Sequence, residues 1–296
     1  MDIGGTDKKT LFELAADHGV STILWRKFGS DPESPEGVQT FYRLGLAMLL
    51  ESLHEEISTA LNNKGINACV VKGPVFAERL YDYENDRPFT DIDLILDTKS
   101  MKEAIKVMES IGYVLYDKMQ DKSDFHMEYK FHHKKHPKVL IELHGNMVHY
   151  TLLRQHATFG INELLEAGSG DGKAPTALLA TAIVHATLGH KIDKLQILVD
   201  VLQAVRKLPP DSYEDVAATL TRLRLGLECV VCLSVVEKLF EDKAVAELAS
   251  HFRCGIRGHL GRCLVSPRSV IYAQSRKKQW GSWLRRKTFR LLQYIP

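Results

Sequence analysis

Cysteine is scarce in this 296-residue chain. There are five, an odd number, and a chain of this length has no need of a disulfide framework. Cys229 and Cys232 form a C-x-x-C inside "LRLGLECVVCLSVVEKLF", a stretch of helical period with no second ligand cluster beside it. The pair therefore reads as buried thiols rather than a zinc site. No apolar run approaches the roughly 20 residues of a membrane span. The opening "MDIGGTDKKTLFELAADHG" lacks the basic-then-apolar order of a secretory signal, so the expectation is a cytoplasmic protein. Acidic residues are missing after Glu247, whereas His251 to Pro296 carries eleven Lys and Arg. The net charge of +2 hides that asymmetry, which calls for an anionic partner or a docking surface.

A hydrophobic fraction of 45% is enough to bury the core of one large domain or two smaller ones. Residues 1–30 read as short helical pieces with Thr6 as a cap, and "GSDPESPEG" as a loop. "VQTFYRLGLAMLLESLHEEISTALNNKG" repeats apolar residues at helical spacing and should stop at Gly65. "INACVV", "TDIDLILD", "YVLYDKM", "FHMEYKFHH" and "KVLIELHGN" carry strand signals, with helices predicted over "PVFAERLYDY" and "SMKEAIKVMESIG". After Tyr150 the period is helical. The division is a mixed half, 1–150, followed by an α-helical half, 151–296. "GSGDGKAP" is not a P-loop: Gly168 stands one residue too close to Gly172-Lys173, and Ala174 replaces the Mg²⁺-binding Ser or Thr.

Two carboxylates, Asp91 and Asp93, lie one residue apart inside the apolar run "TDIDLILD". Charge among Ile92, Leu94 and Leu96 is costly unless paired. On a strand both acids share one face, so they repel each other unless a cation lies between them. Glu142 of "KVLIELHG" supplies a third carboxylate, with His144 on the same face at the cluster's edge. Three carboxylates suit Mg²⁺, and the reading is a Mg²⁺ site (Asp91, Asp93, Glu142) rather than acids paired with a protein cation. Upstream, Lys72-Gly73 ends a strand where a helix begins. The amides of Gly73, Val75 and Phe76 and the cations Lys72 and Arg87 are candidates for holding phosphate.

Strand-Gly-helix, then D-x-D, then a later acid on another strand resembles the nucleotidyltransferase superfamily that includes polymerase β. More closely, "VVKGPVFAERLYDYENDRPFTDIDLIL", "IELHG" and "HATLGHKIDKLQILVD" resemble a family of bacterial nucleotidyltransferases, over roughly residues 40–205. The resemblance implies an α+β chain: a polymerase-β-like core, a small mixed sheet with helices, followed by an α-helical domain. It implies transfer of a nucleoside monophosphate from an NTP with loss of pyrophosphate, with Mg²⁺ or Mn²⁺ held by Asp91, Asp93 and Glu142. Glu142 would bridge a metal or take the acceptor's proton. Gly73 would be the phosphate turn, and the helix with His185, Lys191 and Lys194 would face the nucleotide. Two features depart from the superfamily: Lys-Gly replaces the usual Gly-Ser turn, and the gap from Gly73 to Asp91 is long.

Other readings stay beside this one. The cations are equally open to structural use, Arg87 by pairing with Asp86 or Glu84. Asp200 reads as an orienting residue. His185 and His190, five apart, do not share a face of an α-helix. The histidines at 126, 132, 133 and 136 read as a solvated hairpin. In the tail, Trp280, Trp283, Leu284, Leu291, Leu292 and Ile295 form one helical stripe and the basic residues lie largely off it. Such a helix docks on its own domain, lies on an anionic membrane or holds an acidic partner. No nucleic-acid module is present. A kinase moving the γ-phosphate, or a dormant nucleotide-binding scaffold, remains the alternative to nucleotidyl transfer.

Overall fold

The computed structural model describes residues 7–29, 31–120, 127–148, 158–168, 172–190, 192–271 and 280–294. Three helices come first: α1 (Lys8–Asp17), α2 (Ser21–Phe28) and α3 (Pro35–Asn62). Five strands follow: β1 (Ala68–Val71), β2 (Asp91–Leu96), β3 (Tyr113–Gln120), β4 (Met127–His133) and β5 (Leu140–His144). Helix α4 (Gly73–Leu80) links β1 to β2, and α5 (Met101–Ser110) links β2 to β3. The strands form one sheet in the order β1-β2-β5-β4-β3, with β2 and β5 parallel and the other neighbours antiparallel. This is the small mixed sheet with helices that the sequence predicts.

Period two divides the sheet into two unlike faces. Ile92, Leu94 and Leu96 of β2, with Phe131, Ile141 and Leu143, bury against Leu50, Leu53, Ile57 and Leu61 of α3 and Ala104, Val107 and Met108 of α5. Each of these side chains other than Ala104 contributes roughly 1.5–3 kcal/mol when fully buried. Cys69, Val71 and Ile95 join the opposite core, together with Val75 and Phe76 of α4 and the helices of the second half. Both faces meet helices because Cys69 and Val71 of β1 and Ile95 of β2 give the second face apolar residues as well. The carboxylates occupy the stretch of the second face that those helices leave open.

Helix α3 begins where Ser34 accepts the Gly37 amide at 3.1 Å, with Pro35 in its first turn, and the chain leaves through Gly65 at φ 68°. Ser34→Ala should cost about 1 kcal/mol, measured as a lower urea midpoint with an unchanged slope; no shift would mean that the cap is not used. At α1 the cap is Asp7, which accepts the Thr10 amide, and not the expected Thr6, which lies outside the described residues.

The second half comprises α6 (Ile161–Ala167), α7 (Pro175–Val184), α8 (Leu195–Arg206), α9 (Tyr213–Arg222), α10 (Gly226–Phe240), α11 (Lys243–Ser250), α12 (Ile256–Leu264), α13 (Pro267–Ile271) and α14 (Trp280–Tyr294). The expected division at 150/151 falls within 149–157, outside the described residues. Cys229 and Cys232 are fully buried on α10, and burial pushes the Cys232 thiol up. Helix α14 docks through Phe289, Leu292 and Gln293, whose side-chain amide donates to Glu228 Oε1 at 2.8 Å. The predicted apolar stripe is thus only partly right: Leu284 and Leu291 are more than half exposed. The side chains of Trp280, Trp283 and Ile295 lie outside the description. Among the described residues no helix is long and apolar enough to cross a membrane.

Candidate active site

Strand register assembles the charged cluster. Asp93 lies opposite Glu142 in the parallel β2–β5 ladder, and Glu142 lies opposite Lys130 in the antiparallel β4–β5 ladder. Alternation then puts Asp91 and Asp93, Glu142 and His144, and Glu128 and Lys130 on one face. Where β1 ends, Lys72 takes φ 59° and Gly73 φ 31°. A left-handed backbone at a non-glycine residue costs on the order of 1–3 kcal/mol. The kink turns the Lys72 ammonium onto Asp93, with Nζ 2.8 Å from Oδ1. At Gly73 a side chain would also bring its Cβ to 3.3 Å from the Asp91 carbonyl oxygen.

Asp93 thus has a protein cation as its partner at Oδ1, which the sequence did not indicate, and it stands in a cluster with Glu142 and His144 that could also hold a metal. His144 Nε2 lies 2.9 Å from the same oxygen and 3.4 Å from Glu142 Oε2, and Lys130 Nζ lies 2.7 Å from Glu142 Oε1 and 2.6 Å from Glu128. Burial alone would push Asp93 up, but Lys72 and His144 outweigh it and hold the carboxyl well below its usual range. Burial pulls His144 down; its bonds to Asp93 and Glu142 prevail and lift it to about 9, so it carries a proton at neutral pH. Asp91 differs. Burial, then repulsion from Asp93, pushes it up to about 6, with only partial relief from Lys72.

A cavity of about 500 Å³ opens over this face. Lys72, Gly73, Arg87, Asp91, Asp93, Glu142, His185 and Lys194 line it, so eight candidates from the sequence share one space. His144 lies behind, buried against Asp93.

A model of an uncharacterised nucleotidyltransferase family matches residues 4–241 of the chain. The chain belongs to that family. No curated protein matches it. Membership brings transferase activity and a nucleotide substrate, and the match runs from α1 through α10, leaving α11 to α14 beyond it.

Several residues of this nucleotidyltransferase sit otherwise than expected. Arg87 pairs with neither Asp86 nor Glu84. It lines the cavity but spends its fork on Asp200, with Nε and Nη2 each 3.0 Å from a carboxylate oxygen, while Tyr81 donates to Asp200 at 2.7 Å. Asp86 is held instead by Arg26, at 2.8 and 2.7 Å. The Phe76 amide donates to the Lys72 carbonyl at 3.0 Å, inside the helix, and so is no phosphate donor.

His185 and His190 do meet, with ring centroids 4.7 Å apart. The helix widens to a π turn over His185–Gly189, closed by the His190 amide on the His185 carbonyl at 3.0 Å. That turn brings residues five apart together. Thr187 contributes to the widening by bonding back to the Ile183 carbonyl at 2.6 Å. Burial holds the His185 imidazole well below its ordinary range, hence neutral, and its Nδ1 is buried with no hydrogen-bond partner. Lys194 immediately precedes α8 and lines the cavity; Lys191 lies outside the described residues. In the hairpin His133 stacks on His136 at 5.0 Å, and His126 is not described.

The sequence reading missed Lys130 and Arg43. Lys130 was detectable, because alternation along β4 aims it at the face that carries Glu142. Arg43 lies on α3 and donates to Ser21 at 3.1 Å, and nothing local marks it. The N-terminal helices complete the wall through Ala16 and Gly19. His18 anchors them: its Nδ1 accepts the Leu195 amide at 3.3 Å, which leaves Nε2 to donate to the Ile271 carbonyl at 2.8 Å.

Proposed function

We propose that this nucleotidyltransferase moves a nucleoside monophosphate from an NTP to an acceptor and releases pyrophosphate, using Mg²⁺ or Mn²⁺. One observation carries the reading: a single cavity holds Asp91, Asp93 and Glu142 on one wall and Lys72, Arg43, Lys130 and Lys194 around it. The donor set fits a hard cation. Burial first and repulsion from Asp93 second raise Asp91, and oxygen atoms of Asp93 and Glu142 cluster with a His144 ring nitrogen within 4.8 Å. Asp91, Asp93 and Glu142 are the ligands in this reading. When bound, the ion supplies charge stabilisation at the attacking and leaving oxygens.

The chain's own groups position the rest. Protonated His144 orients Asp93 and Glu142. Burial favours protonation of Glu142, but His144 and Lys130 outweigh it, hold the carboxyl low and make it a poor proton acceptor. Gly73 lets the backbone approach phosphate without a side chain in the way. Lys72 and Lys194 bind triphosphate oxygens, while Arg87 fixes the wall by holding Asp200. Neutral His185 lines the wall that would face the nucleotide. The acceptor is a small molecule, a sugar phosphate, a peptide or a protein.

The test is incubation with Mg²⁺ and each NTP labelled at the α- or the γ-phosphate, with cell extract as the source of acceptor. Transfer of α-label with pyrophosphate release is expected. Transfer of γ-label alone would make the protein a kinase. No transfer at all, or equal transfer by Asp93→Asn, would leave the scaffold reading.

Cation binding should weaken as pH falls through about 6, because the proton on Asp91 competes while Asp93 and Glu142 stay ionised. Mn²⁺ titration followed by electron paramagnetic resonance should give a loss of up to about tenfold per pH unit below that point. A flat profile between pH 7 and 5 would remove Asp91 from the ligand set.

A further inference from the structure

The last helices present a surface that catalysis does not use. Helix α12 turns Gly258 and Gly261 onto Val230 and Val231 of α10, and Gly261 also faces Leu292 of α14. Its other side carries Ile256, His259, Leu260 and Cys263, spaced three and four apart and all exposed, Ile256 to 82% and Leu260 to 50%. Helix α14 repeats the arrangement. Phe289, Leu292 and Gln293 face inward, while Leu284, Lys287 and Leu291 form an outward row, Leu284 at 53% and Leu291 at 62% exposure. Two neighbouring helices thus each hold one apolar row inside and show another outside.

The charged residues carried by α12, α13 and α14 all have one sign. Arg253 stands exposed before α12, and Arg268 on α13 and Lys287 on α14 are exposed as well. No acidic residue follows Glu247. Large aliphatic residues rimmed by cations match the boundary of an anionic bilayer, where acyl chains take the apolar row and headgroups the cations. Nucleic acid would use the cations but has no place for Ile256, Leu260, Leu284 and Leu291. Docking of α14 by its inner row is therefore compatible with membrane binding by its outer one.

We propose that the outer face of α12 and α14 docks this protein on an anionic lipid bilayer. The inference is independent of the transfer reaction, since the surface lies outside both the cavity and the matched residues. The test is co-sedimentation of the full chain with phosphatidylcholine vesicles, with and without phosphatidylglycerol. Binding to the anionic vesicles alone is expected, weakening with added salt. The variant Ile256→Ser/Leu260→Ser/Leu291→Ser should bind at least about tenfold more weakly. Its thermal midpoint should stay near that of the parent, since all three side chains are exposed; Arg253→Glu/Lys287→Glu provides a second check that leaves the apolar rows intact. Absence of vesicle binding, equal binding to neutral vesicles, or unchanged binding by both variants would overturn the proposal. So would RNA that binds the chain and strips it from vesicles without sensitivity to the serine substitutions.

Discussion

Asp91→Asn should abolish nucleotidyl transfer and at the same time stabilise the metal-free protein. The activity loss is expected to be on the order of 10²–10³-fold, the scale of removing one charge-stabilising group from a reacting centre. The stability gain follows from linkage. Asp91 titrates near 3.8 when exposed and is pushed up to about 6 in the fold, by burial first and by Asp93 second. The folded protein therefore binds the proton more tightly, and stability from this group falls as pH rises from about 4 to 6. Above that window the full penalty is present. A neutral amide removes it, for a gain of roughly 1–3 kcal/mol at pH 8. The same comparison near pH 4 should show almost no gain. Urea denaturation at both pH values without divalent cation, beside the α-label assay at pH 8, measures both effects. A variant that is destabilised at pH 8, or that transfers label at the parental rate, would contradict this account of Asp91.

The second large effect concerns stability alone. Asp200→Ala should destabilise the fold by about 3–5 kcal/mol, because it strands the buried Arg87 guanidinium without its charged partner. It also takes the acceptor from the Tyr81 hydroxyl, which burial and then Asp200 have pushed well above its ordinary pKa. A fall in thermal midpoint of about 5–15 °C corresponds to that loss. Asp200→Asn keeps the shape and some of the hydrogen bonds and should lose less. The double variant Arg87→Ala/Asp200→Ala should be little worse than either single one, since removing both partners leaves no stranded charge. Strict additivity would show that the pair is not coupled as the distances imply. The contact matters because Arg87 precedes β2 and Asp200 lies on α8, so it ties the sheet to the helices across the cavity.

Most of the secondary structure was legible because its signals are local. The i, i+2 alternation of "TDIDLIL" puts two acids on one face whatever surrounds the strand. The repeat across α3 favours a long amphipathic helix, and a glycine directly after the β-rich "INACVVK" marks a strand end. Chemistry followed from residue type as well: three carboxylates on neighbouring strands repel one another and suit a cation. Eight candidates consequently share one cavity.

Contacts between distant residues were another matter. Arg87 and Asp200 are 113 residues apart, and nothing around either names its partner. The Lys72 ammonium reaches Asp93 only through a left-handed kink that the order of residues does not advertise. The meeting of His185 and His190 needed a π turn, which helical spacing argues against. The outer rows of α12 and α14 became visible only once the inner rows had docked. By itself the sequence determined which residues share a strand or helix face, because backbone geometry sets that period. Tertiary structure alone decided which charges neutralise one another and which apolar rows stay exposed, because both depend on packing between segments far apart in the chain.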